Sequence, residues 1–185
     1  ARRGDDRCRS RLARRRLRAN RPRSHRARGL SAMDRANWDV PLEDFRVHET
    51  VRVRFNEIDG QNIVFNAHYL AYADIGVTEY FRALGEGQPG AFFHQYGTDI
   101  RETHCEIDYH APARLDELIT IAARISRFER DSFTLHCGIF RGEERLTDIE
   151  ISYAHLDLDG GGATALPGSF IAEVRRFEKR LPIQA

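Results

Sequence analysis

Residues 51–85 read VRVRFNEIDGQNIVFNAHYLAYADIGVTEYFRALG, and their hydrophobic period changes partway along. Val51, Val53 and Phe55 alternate with Arg52, Arg54 and Asn56, the period of a strand with one buried face. Gly60, Gln61 and Asn62 interrupt it, and Gly and Asn are the residues that most readily accept positive φ in a turn. From Phe65 the period becomes helical. Phe65, Tyr69, Tyr72, Ala73, Gly76, Val77, Tyr80, Phe81 and Leu84 fall at steps that gather them on one broad apolar face, and Gly85 stands where a C-terminal cap is expected. Gly76 lies on that face, where a missing side chain lets the helix approach a sheet closely. The turn between strand and helix carries one aspartate, Asp59.

After residue 98 the pattern is that of strands. A first strand over about 46–56 is followed by Cys105, Ile107 and Tyr109 at alternate positions, then by Ile119 to Ile125, Phe133 to Ile139 and Ile149 to Tyr153. Short breaks with turn chemistry, such as Glu129-Arg130-Asp131 and Arg141-Gly142-Glu143-Glu144, make these antiparallel hairpins. Residues 86–97 form a loop with a short helical turn near Ala91–Tyr96, and residues 157–164 are a Gly-rich connection. Pro167 opens a final amphipathic helix carrying Ile171, Val174 and Phe177. The fold class is therefore α+β: a five-stranded antiparallel sheet wrapped around one long helix, with a short C-terminal helix. One sheet face is left for a partner, and a homodimer or homotetramer is the simple solution. Trp38 and Phe45 anchor a polar lead-in over 34–45.

The net charge of +1 conceals an asymmetry. Residues 1–32 hold 13 Arg against 2 Asp, a balance of +11; residues 33–185 hold the remaining 16 Lys+Arg against 26 Asp+Glu, a balance of −10. A segment so charged and so poor in apolar side chains cannot bury enough surface to fold. Residues 1–32 are read as a disordered leader ahead of Met33, outside the native folded protein, and 33–185 as one domain. A nucleic-acid partner is expected only through that Arg-rich tail, if at all. No apolar run is long enough to span a membrane. Cys8 falls in the leader, while Cys105 and Cys137 sit on the apolar parity of their strands and read as buried. An odd count without close spacing suits a reducing, cytoplasmic setting.

Strand, turn and helix together resemble the hotdog fold, and more narrowly the 4-hydroxybenzoyl-CoA thioesterase-like acyl-CoA thioesterases of the Tol–Pal-associated type. The matching residues are Phe55, Glu57-Ile58-Asp59, Gly60-Gln61-Asn62, Ile63-Val64 and Tyr69. The helix text Thr78 to Gly85 and the stretch Tyr109-His110-Ala111-Pro112-Ala113-Arg114-Leu115-Asp116-Glu117 are also similar to family members, so the likeness covers about 46–180. Two departures stand out: Asn62 occupies a position where the family often has Gly, and Asn66 one where the nearest subfamily often has His.

The resemblance implies hydrolysis of an acyl-CoA thioester to free acid and CoA, with Asp59 as base or nucleophile and coenzyme A as part of the substrate rather than a cofactor. Asn66 is the second catalytic candidate, holding the substrate carbonyl or a water, or else capping the helix. The chemistry also needs donors for a developing oxyanion, and the open N–H groups of a helix start around Phe65 to Ala67 supply them. Phe65, Ala67 and Tyr69 are expected to bind substrate; for Arg127, Arg130 and Ser132 the resemblance implies contact with the nucleotide end, against a solvated turn, which the residues themselves favour. Spacing alone leaves Asp59 open between catalysis and a plain turn or cap role. Glu57 shares its parity and reads as structural; Asp74 and Glu79 on the helix read as solvated or ion-paired. His104, Glu106, Asp108 and His110 share a strand face without metal-ligand spacing, so no metal is expected. The alternatives are a hotdog enoyl-CoA hydratase or dehydratase, for which only His68 stands near the turn, and a non-catalytic module that binds acyl thioesters or nucleic acid.

Overall fold

The structure is a computed structural model in which residues 38–85 and 92–185 are described; the expected leader and Cys8 lie outside them. The element order is strand β1 (Val47–Arg52), helix α1 (His68–Leu84), strands β2 (Thr98–Tyr109), β3 (Leu118–Phe128), β4 (Ser132–Arg141) and β5 (Glu144–Asp157), helix α2 (Gly168–Phe177) and a short strand β6 (Ile183–Gln184). The sheet order is β1-β3-β4-β5-β2, all antiparallel, as the alternation and tight turns require. A sixth strand was not foreseen: β6 pairs in parallel with the Arg127–Phe128 end of β3, a contact between residues too few to carry a pattern of their own.

The long helix lies across the inner sheet face. Tyr69, Tyr72, Ala73, Tyr80, Phe81 and Leu84 are buried there against Ile119, Ile121, Ile125, Leu135 and Ile139. Gly76 sits where expected: a Cβ built on it would lie 2.9 Å from Ile121 Cγ2, so only glycine allows this approach. Helix α2 buries Phe170 and Val174 in the same core.

Four expectations need correction. The first strand ends at Arg52; a 3₁₀ turn over Phe55–Glu57 follows and turns the Phe55 ring outward, 83% exposed. Helix α1 begins at His68 rather than Phe65, which leaves Phe65 48% exposed instead of on the buried face. Cys105 is exposed, because β2 is an edge strand whose alternation continues beyond the area that α1 covers; Cys137, in the middle of the sheet, is buried. The outer sheet face is also not left wholly to a partner. Val40 and Phe45 of the lead-in pack on Ala122 and Phe140, and Trp38 stacks 6.3 Å from the His136 ring. Strand β4 is consequently buried on both faces.

Candidate active site

Two backbone devices present Asp59. Glu57 closes the 3₁₀ turn: it is only 8% exposed, and its Oε2 accepts the Arg54 N–H at 2.7 Å and the Tyr72 hydroxyl at 2.7 Å. One buried carboxylate oxygen thus ties the end of β1 to the first turns of α1. Burial, with Glu57 beside it, pushes the Tyr72 hydroxyl far above its ordinary ionisation range, so it stays a donor. The second device is a small clasp. Asp59 N–H donates to Ile63 C=O at 2.9 Å, Phe65 N–H to Glu57 C=O at 2.9 Å, and Ile58 and Val64 bridge between them. The tip of this clasp needs a left-handed residue, and Asn62 supplies it at φ 58°, so the departure from the family's glycine keeps the turn.

Within the clasp, Asp59 Oδ1 accepts the Gln61 N–H at 2.7 Å, and no described residue occupies Oδ2. Asp59 borders an open cavity of about 500 Å³ together with Phe65, Asn66, Tyr69, Tyr109 and Pro112. Tyr69 and Tyr109 meet edge to face at 5.3 Å, the Tyr69 oxygen accepts Ala113 N–H at 3.0 Å, and the Tyr109 hydroxyl donates to Asn66 C=O at 3.1 Å. Burial raises the pKa of both phenols, which keeps them neutral.

The helix start is open. Ala67 is the N-cap of α1 without a side-chain cap, and the N–H groups of Asn66 and Ala67 meet no acceptor among the described residues. Phe65 is not a third donor, because its N–H is taken by Glu57. The site is therefore the Asp59 carboxylate and Asn66, whose N–H has no acceptor among the described residues, on the wall of an aromatic cavity at the positive end of a 17-residue helix.

Of the residues expected at the site, the fold brings together Asp59, Asn66, Phe65 and Tyr69. Ala67 lies beside them at the helix start but not on the cavity wall. Arg130 and Ser132 are elsewhere: they belong to the β3–β4 hairpin, while the cavity lies at the opposite, Leu118 end of β3. The ten residue steps from Leu118 to Phe128 span about 33 Å of strand. Ser132 instead donates to Glu129 at 3.1 Å. His68 packs its ring 6.2 Å from Phe65 and does not border the cavity; the histidine at its edge is His110, whose Nε2 is 2.8 Å from Asp148 Oδ2 on the outer face. Glu79 is ion-paired with Arg82, as its place on the helix suggested. Tyr109 and the Glu57–Tyr72 pair were missed as site residues. The signal for Tyr109 was present in the motif from Tyr109 to Glu117, which carried the likeness without suggesting a role. Among the described residues, no group of three or more His, Cys, Asp or Glu side chains is placed to hold a metal, and no helix is long and apolar enough to cross a membrane.

The thioesterase superfamily model matches residues 61–147. The chain is 27% identical over 127 residues to the acyl-CoA thioester hydrolase YbgC of Escherichia coli, covering 68% of this chain and 93% of that one. A probable thioesterase from Bartonella henselae superposes with a TM-score of 0.58 at 27% identity, over 65% of this chain and 98% of that one. A Thermus thermophilus thioesterase, whose crystal structure is complexed with coenzyme A and Zn, superposes with a TM-score of 0.63 at 23% identity, over 75% of this chain and 98% of that one.

Proposed function

We propose, for a chain that belongs to the thioesterase superfamily and is an acyl-CoA thioester hydrolase, that Asp59 is the group that starts the reaction. The observation that carries this is the asymmetry of its carboxylate. Oδ1 is fixed by the Gln61 N–H, and Oδ2 is free at the edge of the cavity.

Two routes share this geometry. In one, Oδ2 attacks the thioester carbon and a tetrahedral oxyanion forms; the C–S bond then breaks to release CoA thiolate, and water hydrolyses the acyl-aspartyl anhydride. In the other, Oδ2 takes a proton from water as the hydroxide attacks the same carbon, and the proton ends on the departing thiolate. In both, the negative charge develops on the former carbonyl oxygen, where the Asn66 N–H and the helix dipole stabilise it. Water and substrate balance the reaction, so we assign no cofactor. Phe65, Tyr69 and Tyr109 supply apolar wall for the acyl group. A hydratase would pair an imidazole with a carboxylate in the cleft; His68 packs on Phe65 off the cavity wall, and His110 at the cavity's edge is bonded to Asp148 on the outer face instead of to Asp59.

We further assign a homo-oligomer in the cytoplasm. Among the described residues, β2 ends the strand order and pairs in the sheet with β5, so it is an edge strand. Phe55, Phe65 and Tyr109 add exposed aromatic surface. The unpaired Cys105 and Cys137 suit a reducing compartment.

The test is release of free thiol from short aliphatic, long aliphatic and aromatic acyl-CoAs, with Asp59→Asn alongside. The variant should fold and lose at least about a hundredfold in kcat/KM. Equal turnover by wild type and variant would remove Asp59 from the chemistry.

A further inference from the structure

The donor assigned above to the oxyanion is a backbone group at the start of a helix, the part of a helix least held by its own hydrogen bonds. Ala67 offers no capping side chain, and the Asn66 side chain makes no bond within the described residues. Something else must keep residue 66 from wandering. The contact present is Tyr109, which reaches it from a strand far away in sequence.

We propose that Tyr109 is a positioning residue for the oxyanion donor: its hydroxyl, bonded to Asn66 C=O at 3.1 Å, holds the Asn66–Ala67 peptide plane and so, through ψ of Asn66, steadies the residue that carries the unpartnered Asn66 N–H. The proposal rests on the reading that this helix start receives the thioester oxygen. Tyr109 itself is placed by two independent supports. Its backbone is locked by pairing with Thr147 at the end of the β2–β5 ladder. Its ring meets Tyr69 edge to face at 5.3 Å, and Tyr69 is buried and bonded to Ala113. A rigid phenol has two side-chain torsions, so little freedom is lost in holding its hydroxyl on a chosen carbonyl.

The bond acts on Asn66 from the carbonyl side. That carbonyl also accepts the Tyr69 N–H at 3.3 Å, a long bond in the first turn of the helix. With the Tyr109 hydroxyl added, the peptide plane between Asn66 and Ala67 is held from two directions, which restricts ψ of Asn66. Phe65, on the other side, is held by its own N–H bond to Glu57 and by its carbonyl, which accepts His68 N–H at 2.9 Å. Residue 66 is thus clamped on both flanks while its own N–H stays open. Preorganisation of this kind lowers the barrier, because the donor does not reorient as charge develops.

Tyr109→Phe keeps the ring and removes only the hydroxyl. The expected result is a fall in kcat of about three- to tenfold, the range for one neutral hydrogen bond, with KM within about twofold of wild type. A second measurement does not depend on turnover. Asn66-Ala67 is the only Asn-Ala step in the chain, so labelling Asn at the carbonyl carbon and Ala at the amide nitrogen gives one cross-peak from this peptide. That peak should shift in Tyr109→Phe while the rest of the spectrum holds. A kcat loss without the shift, a shift without a kcat loss, or a rise in KM alone would each overturn the proposal. If the wild type hydrolyses no acyl-CoA, the oxyanion reading fails on its own, separately from what the labelled peptide reports about the bond.

Discussion

The two faces of the central sheet are built on opposite principles. The inner face is apolar: Ile121, Ala123, Cys137 and Ile139 receive α1, and Gly76 brings the helix into contact. Such a face is held by packing and transfer from water, which are non-directional. The outer face of the same strands buries charge. Asp148, its side chain 3% exposed, accepts His136 Nε2 at 2.7 Å, Arg145 at 2.6 Å and His110 Nε2 at 2.8 Å. Arg145 in turn donates to the carbonyls of Trp38 and Val40 at 2.5 Å each, so one carboxylate latches the lead-in across the sheet. Burial alone would raise the Asp148 carboxyl, but His136, Arg145 and His110 outweigh it and hold it below the usual carboxylate range. The comparison teaches that a face of mixed polarity is specified by partners, not by period, and that losing one partner there is worse than losing a packing contact.

The sharpest way to break the comparison is Asp148→Ala. It leaves Arg145 and the fully buried His136 without their anion, and it should cost about 3–5 kcal/mol in urea unfolding, the range for removing one partner of a buried charged pair. A loss under 1 kcal/mol would mean that the outer face is held by its aromatics alone. Next comes Gly76→Val on the inner face. The added carbons collide with Ile121 and Ala123, and overpacking of this sort should cost about 1–3 kcal/mol, measured by the same unfolding curves. If both variants cost equally, the contrast between directional and non-directional faces fails.

The smallest effect is a pH dependence. Burial lowers the His136 pKa below its usual 6.5, against the pull of Asp148. Below pH 6.5 the unfolded chain therefore takes up a proton that the folded chain does not. Stability should fall as pH drops from about 7 toward the folded pKa, by at most about 1.4 kcal/mol per pH unit. Asp148, whose folded pKa is depressed, acts in a lower window: its contribution is present above pH 4 and disappears below it. His136→Gln, which keeps a donor toward Asp148, should flatten the slope between pH 7 and 5 while leaving the acid limb below pH 4. An unchanged slope between pH 7 and 5 would assign it to other groups.

The division between what was readable in advance and what was not follows the same two faces. The alternation of Ile119, Ile121, Ala123 and Ile125, and of Phe133, Leu135, Cys137 and Ile139, determined the inner face. The helical spacing from Tyr69 to Leu84 determined what would cover it, and Gly76 marked where the two meet. The Glu57-Ile58-Asp59 turn was legible for the same reason: it is local, and its chemistry lies in adjacent residues. What only the tertiary structure decided is non-local. Phe55 and Phe65 follow the apolar pattern, yet they are turned out by a 3₁₀ turn and a late helix start. Arg130 and Ser132 are polar and near a turn, as a phosphate site would be, yet the full length of β3 separates them from the cavity. Tyr109 reaches Asn66, and Asp148 gathers His110, His136 and Arg145, through strand order and register. Periodicity reports which side of an element is apolar. Hydrogen bonds between distant elements depend on where each side chain stops along its strand, and that is fixed only when the sheet has closed around its helix.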